Sequence, residues 1–250
     1  MKVVAIIPAR YASTRFPGKP LALLRGKPMV QHVVERASAM ECLDSVVVAT
    51  DDVRIYDTVT ACGGRVLMTD SSHPNGTSRC AEALRQLQAM GEQYDVVVNI
   101  QGDEPRVAEQ QIETLVRAFE NEAVQIATLK KRIGSLAELQ SPNVVKVVTS
   151  LEGDALYFSR FPIPYFRGVA EPLWMEQTPY FKHVGVYAFR ADVLPALVAL
   201  SSGLLERAES LEQLRWLEHG YRIAVRETMV ESFSVDTPAD LEKLKNLTQQ

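Results

Sequence analysis

Apolar residues follow two rhythms along this chain. Val3 to Ile7, "SVVVA" (Ser45 to Ala49) and "DVVVNI" (95–100) are unbroken apolar runs, the mark of strands buried on both faces. "RVLMT", from Arg65, reads as a further short strand. Between the runs the spacing turns helical. Pro28 opens a helix with Val30, Val33, Val34 and Ala37 on one face. Residues 53 to 62 follow a helix-start signal, "TDD", and are stopped by Gly63-Gly64. Residues 77 to 90 put Cys80, Leu84 and Leu87 inward, and Ile112, Leu115, Val116 and Phe119 mark the next helix. The alternation predicts an α/β fold: a mainly parallel sheet with helices on both faces.

The pattern changes near residue 130. "VQIATL", "VVKVVTS", "ALYFS" and "HVGVYAFR" read as strands without clear helices between them. Residues 160 to 182 hold four prolines and several aromatics, as in an excursion over the surface or onto a partner. Helices are expected near 191–200 and 209–219, the latter with Leu211, Leu214 and Leu217 at helical spacing. A last one spans 238 to 247, with Thr237 as N-cap, Pro238 at the first position and Asp240 three residues after the cap. No repeat or low-complexity linker divides the chain. We read one domain over 1–250, with a smaller mixed lobe formed mainly from about 130–235.

Composition narrows the function classes. The 250 residues are 46% hydrophobic and 23% charged, ordinary for a globular chain. No apolar run approaches the ~20 residues of a membrane helix. Three separated cysteines without a C-x-x-C fit reduced thiols in a cytoplasm. A pI near 5.7 argues against a nucleic-acid partner. Only four histidines occur, scattered, so a zinc site is not expected.

Against this acidic background, residues up to Val34 carry six Lys or Arg and no Asp or Glu. Four prolines break any targeting helix there, so the stretch belongs to the fold. "IIPARYASTRFPGKP" follows the first strand, at the end where parallel sheets bind ligands. Pro and Gly let its backbone curl and present N–H groups, and Arg10, Arg15 and Lys19 add charge, a mixture suited to phosphates. It is neither a Walker loop nor a G-x-G-x-x-G. A solvated basic loop is the structural alternative. In "QGDEP", Asp103 lies just past a buried strand, and in "SVDTP" Asp236 ends another short one. Two such carboxylates, with substrate phosphates, suit Mg²⁺. Alternatively, Asp103 is a turn former and Asp236 an acid beside a helix N-terminus.

Taken together, "IIPARYASTRFPGKPL", "HPNGTSR", "NIQGDEP", "NVVKVV", "ALYFSR", "KHVGVYAF", "LEQLRWLEHG" and "SVDTPADLEKL" resemble the 3-deoxy-manno-octulosonate (Kdo) cytidylyltransferase family. The motifs run in order from residue 3 to about 245; residues 161 to 181 match least. The resemblance implies transfer of CMP from CTP to Kdo with release of pyrophosphate, Mg²⁺ dependence, a role in lipopolysaccharide synthesis and a homodimer. It implies that Ala9, Arg10, Arg15 and Lys19 serve the triphosphate. It puts Gly76, Thr77 and Arg79 by the cytidine, and Gln101 between nucleotide and sugar. Asp103 and Asp236 would hold magnesium; Arg160, His183, Tyr187, Glu212 and Gln213 would line the sugar pocket. Read without the family, Arg160 could pair with a surface acid and His183 could be structural. Tyr187 could be core with a bonded hydroxyl, and Glu212 and Gln213 could face water. The sequence leaves three rival readings: a cytidylyltransferase for another 2-keto-3-deoxy sugar acid, a metal-dependent glycosyltransferase, and a non-catalytic nucleotide sensor.

Overall fold

The apolar runs of the first half all become strands. The computed structural model describes residues 1–13, 15–231 and 233–247. In chain order come β1 (Val3–Ala9), the short hairpin β2 (Leu23–Leu24) and β3 (Lys27–Pro28), α1 (Met29–Ser38), β4 (Ser45–Thr50) and α2 (Val53–Ala61). Then follow β5 (Arg65–Met68), α3 (Gly76–Ala89), β6 (Val96–Asn99), α4 (Glu109–Ala118), β7 (Ile126–Arg132), α5 (Leu136–Gln140), β8 (Lys146–Thr149) and β9 (Ala155–Ser159). The chain ends with α6 (Trp174–Gln177), β10 (Phe181–Arg190), α7 (Leu194–Ala199), α8 (Leu204–Glu209), α9 (Gln213–Glu218), β11 (Ile223–Glu227) and α10 (Pro238–Leu247). Among the described residues no helix is long and apolar enough to cross a membrane.

Two compact units form, Met1–Val116 with Ser232–Gln250, and Arg117–Glu231. In the first, four strands lie parallel in the order β6-β1-β4-β5. The connections through α1 and α2 step one way along the sheet, and the one through α3 steps back across it to β6. Right-handed crossovers then put α3 on the face opposite α1 and α2. The order reverses between β1 and β6, so a crevice opens at their carboxyl ends. Val4 to Ile7 and Val96 to Val98 are fully buried, as the unbroken runs require.

The C-terminal helix returns to this unit. Thr237 and Asp240 form the expected reciprocal cap: the Asp240 carboxylate accepts from Thr237 N–H at 3.0 Å, and Thr237 Oγ1 accepts from Asp240 N–H at 3.3 Å. Leu241 and Leu244 bury against Leu24, Met29 and Val235. The approach to α10 is not the strand expected at "SVDTP". Val235 N–H donates to Asp103 C=O at 2.9 Å, but residues 233–236 join no ladder.

The second unit is mixed, as its sequence implies. β7 pairs antiparallel with β10 and parallel with β11; β8 pairs antiparallel with β9 and β10. Four elements of this unit, α5, α6, α8 and β11, go beyond the sequence reading. α5 and β11 are too short to show a period. The helix expected over 209–219 is broken: α8 ends at Glu209, Ser210 adopts φ 53°, and α9 starts at Gln213. The break lets Arg215 fold back and clasp Glu206 with two bonds of 2.7 and 2.6 Å. Trp216, not Leu217, then takes the inward position. Residues 161–181 are anchored rather than loose: Trp174 and Tyr180 join Ile133 and Leu139 in a small core, and Tyr180 Oη–H donates to Pro164 C=O at 2.7 Å.

Candidate active site

The crevice of the first unit is a cavity of about 320 Å³ at the ends of β1 and β6. Ala9, Arg10, Arg15, Lys19, Gly76, Arg79, Gln101, Asp103 and Asp236 all line it. Thr77 does not; it is buried in the first turn of α3. Small residues let the backbones close in. A Cβ on Gly102 would stand 2.9 Å from Pro8 O, and one on Gly76 would stand 3.0 Å from Pro8 Cγ. The N-terminus of α3 contributes as well. Asn75 Oδ1 caps it by accepting Ser78 N–H at 2.9 Å, and both Asn75 and Gly76 line the cavity, where a helix start favours anions.

Charges meet at its floor. Lys19 Nζ lies 2.6 Å from Asp103 Oδ2 and 3.6 Å from Asp236 Oδ1, and Arg15 Nη2 donates to Asp236 Oδ1 at 2.9 Å. The Val235–Asp103 backbone bond and the packing of α10 bring Asp236 here from the far end of the sequence. The cationic loop is folded by its own backbone, with Gly18 N–H on Tyr11 C=O at 2.9 Å and Gly18 at φ 70°. Arg54 stacks on Tyr11 from outside, 3.4 Å from the ring centroid, and is itself gripped by Asp52. Arg10 makes no hydrogen bond among the described residues and is exposed. Arg79 lines the cavity with a buried guanidinium that is also engaged by Thr69 Oγ1 at 2.6 Å and Asp51 Oδ2 at 2.9 Å. Gln101 Nε2 donates to Asn99 Oδ1 at 3.0 Å, which fixes its side chain.

Asp103 and Asp236 converge on one ammonium, so their oxygens frame a position that a cation can occupy. Hard carboxylate oxygens fit magnesium. No cluster of three or more His, Cys, Asp or Glu suited to a metal occurs among the described residues, so phosphate oxygens and water would complete the shell. Glu104, next to Asp103, is buried; burial, with the Asp103 charge adding, pushes its carboxyl up to about 7.

Of the six residues expected at the sugar, Gln101 lies in the first unit, and Arg160, His183, Tyr187, Glu212 and Gln213 lie in the second. β10 bulges between Val184 and Tyr187, where Leu129 and Thr128 of β7 oppose them. In a straight strand, residues four apart stand about 13 Å apart. Here the rings of His183 and Tyr187 are 5.2 Å apart. Thr128 holds the bulge, with its hydroxyl near the carbonyls of Val184 (3.2 Å) and Val186 (2.9 Å) and 2.9 Å from His183 Nε2. One hydroxyl proton cannot serve all three, so a carbonyl takes it and His183 Nε2–H donates to Thr128. Tyr187 packs on Phe189 and Trp216, and its buried hydroxyl has no hydrogen-bond partner. It is core, as its alternation allows, but not with a bonded hydroxyl. Burial, then the Glu212 charge, push that hydroxyl well above its ordinary range. Gln213 is buried rather than water-facing; Glu212, half-buried, precedes it at the start of α9. Among the described residues the Arg160 guanidinium donates to backbone carbonyls only: Glu209 (2.7 Å), Pro142 (3.0 Å) and Ser210 (3.4 Å).

Burial pushes the His183 imidazole down to about 3 from its ordinary 6.5. It is therefore neutral in the folded chain, while the unfolded chain takes up a proton below pH 6.5. Stability has no such cost above 6.5 and loses ground as pH falls from there toward 3. Thermal melts between pH 8 and 5 should show this loss, and His183→Gln should flatten it; an unchanged slope would mean that the ring is protonated as readily folded as unfolded.

This crevice, with its cationic loop, helix start and paired aspartates, defines a nucleotidyltransferase of the α/β class. The sequence model of the cytidylyltransferase family matches residues 4–223. A 3-deoxy-manno-octulosonate cytidylyltransferase of Parabacteroides distasonis is 52% identical over 247 residues, covering 97% of this chain and 96% of the relative. Another from Geobacter metallireducens is 51% identical over 250 residues, covering 98% and 96%. A solved CMP:2-keto-3-deoxy-manno-octonic acid synthetase complexed with CTP superposes with a TM-score of 0.91 at 44% identity, covering 100% of this chain and 99% of that one. The chain belongs to the 3-deoxy-manno-octulosonate cytidylyltransferase family.

Proposed function

We propose that this chain transfers CMP from CTP to the anomeric hydroxyl of Kdo, releasing pyrophosphate and supplying CMP-Kdo to lipopolysaccharide synthesis. The observation that carries the reading is the meeting of Asp103, Asp236 and Lys19 in the β1–β6 crevice, which the start of α3 also lines. The sugar hydroxyl attacks the α-phosphorus in line and pyrophosphate leaves, so the chain's task is positioning and charge neutralisation. Arg10, Arg15 and Lys19 receive the triphosphate. Lys19 exchanges its carboxylate partners for phosphate oxygens, and the two aspartates are then available for Mg²⁺. The ion, when bound, lowers the repulsion between the acid sugar and the triphosphate and stabilises charge on the transferring phosphoryl group.

Lys19→Ala should raise the KM for CTP about tenfold or more while moving the KM for the sugar little, since one charge-assisted contact to phosphate is lost. Initial-rate kinetics with each substrate varied will read it. A rise confined to the sugar KM would assign the loop to the other substrate.

We also propose a homodimer working in the cytoplasm. Phe161 and Tyr165, each 71% exposed, and Leu156 give the second unit an apolar surface suited to a second copy. The three cysteines form no disulfide, in keeping with a reducing compartment. Sedimentation should give twice the mass of the chain, and Phe161→Glu should halve it; a monomer at micromolar concentration is the contrary result.

A further inference from the structure

Lys146, in the "NVVKVV" motif, has no task in the chemistry above, yet it is 0% exposed. It sits in β8 opposite Ser159 of β9 and Lys182 of β10. Its ammonium is satisfied by no carboxylate bond. It donates to three backbone carbonyls: Ser141 at 2.9 Å, Val144 at 2.7 Å, and Arg160. Burying an ammonium is unfavourable, and an apolar side chain would fill the same space without that cost. The charge therefore calls for a reason beyond packing.

The reason lies in what Lys146 holds. Arg160 is gripped on both sides of its own backbone. Lys146 takes its carbonyl, and Glu209 Oε2 accepts its N–H at 2.9 Å while Oε1 accepts Ser159 Oγ–H at 2.7 Å. The Arg160 guanidinium reaches the same two segments that engage these residues. Nη1 donates to Pro142, within the 141–144 stretch that caps Lys146. Nε and Nη2 donate to the carbonyls of Glu209 and Ser210. Ser210 holds φ 53°, an uncommon conformation outside glycine, immediately before Leu211, Glu212 and Gln213. Two cations, Lys146 and Arg160, thus lie around one carboxylate, Glu209, whose oxygens accept the Ser159 hydroxyl and the Arg160 backbone N–H rather than either cationic head group. The cluster keeps one positive charge in excess, and the guanidinium keeps the N–H groups it has not spent on carbonyls.

We propose that Lys146 and Glu209 are positioning residues for the acid-sugar site, clamping Arg160 so that its remaining donors and the cluster's unbalanced charge meet the sugar carboxylate. This rests on the proposed function and on one further reading, that Arg160, which the family resemblance puts in the sugar pocket, receives the sugar carboxylate through its planar guanidinium. Neither residue touches the substrate; each acts through Arg160.

The test is a mutant cycle on the full-length enzyme, with initial rates for CTP and Kdo and CTP binding measured without sugar. Lys146→Met should raise the sugar KM about 10- to 100-fold and leave CTP binding within about twofold, because the loss falls on a charge-assisted contact. In an Arg160→Ala background the same change should add less than about threefold, the non-additivity of residues that act as a unit. Lys146→Met leaves three carbonyls without their donor, so Glu209→Gln is the companion variant. It keeps size and is expected to raise the sugar KM about tenfold, again without effect on CTP. An unchanged sugar KM in either folded variant overturns the proposal, as does an equal effect with and without Arg160. If Arg160→Ala alone leaves the sugar KM unchanged, the assignment of Arg160 to the carboxylate fails first, whatever Lys146 does.

Discussion

Asp103→Asn should lower kcat about a thousandfold, comparable to or above the loss of one strong transition-state contact. Asn keeps the shape and removes the charge. Asp103 is the better placed of the two aspartates, 2.6 Å from Lys19 Nζ where Asp236 is at 3.6 Å, and it sits in the turn that follows β6. The fold should persist, because a partly exposed ion pair contributes little to stability. CTP binding measured with a chelator present should hold or tighten. The variant frees Lys19 and removes a negative charge from beside the triphosphate. That combination, lost turnover with retained nucleotide binding, separates a metal role from a general disruption. Asp236→Asn should move in the same direction. Near-normal turnover at saturating Mg²⁺ would remove the altered residue from the metal site.

The second large effect is expected at Arg160. Arg160→Ala should cut kcat/KM for the sugar by roughly one to two powers of ten, the worth of one charge-assisted bond to a carboxylate. Arg160→Lys should be damaged less, because it retains the charge, but it cannot reproduce a planar fork that spans Glu209, Pro142 and Ser210. CTP binding in the absence of sugar should barely move in either. Unchanged sugar dependence with weakened CTP binding would put Arg160 on the phosphates instead.

What was legible in the sequence follows from which interactions are local. The strands of the first unit are announced by unbroken β-branched runs. The cap of α10 is written in Thr237, Pro238 and Asp240, three nearly adjacent residues. Asp103 could be placed because it directly follows a buried strand. The meeting of Asp236 with Lys19 could not be read from spacing. It depends on Leu241 and Leu244 packing against Met29 and on one bond between Val235 and Asp103. Likewise, no period in "HVGVYAF" foretells the bulge that brings His183 onto Tyr187, since Thr128 of β7 supplies the ties. Arg79 looks like a ligand contact in "NGTSR", and only the fold sets Thr69 and Asp51 around its guanidinium. The break at Ser210 escapes a helical reading because leucines continue at the right spacing on either side of it. The clasp of Arg215 on Glu206 across that break is tertiary.

The reaction itself is tested most directly by pyrophosphate release from the purified enzyme with CTP and Mg²⁺, across a panel of 2-keto-3-deoxy sugar acids. Release that requires both CTP and Kdo, is weak with sialic acid, and disappears in Asp103→Asn is the predicted result. Preferential release with another acid, or consumption of a nucleotide-sugar with no pyrophosphate formed, would contradict it.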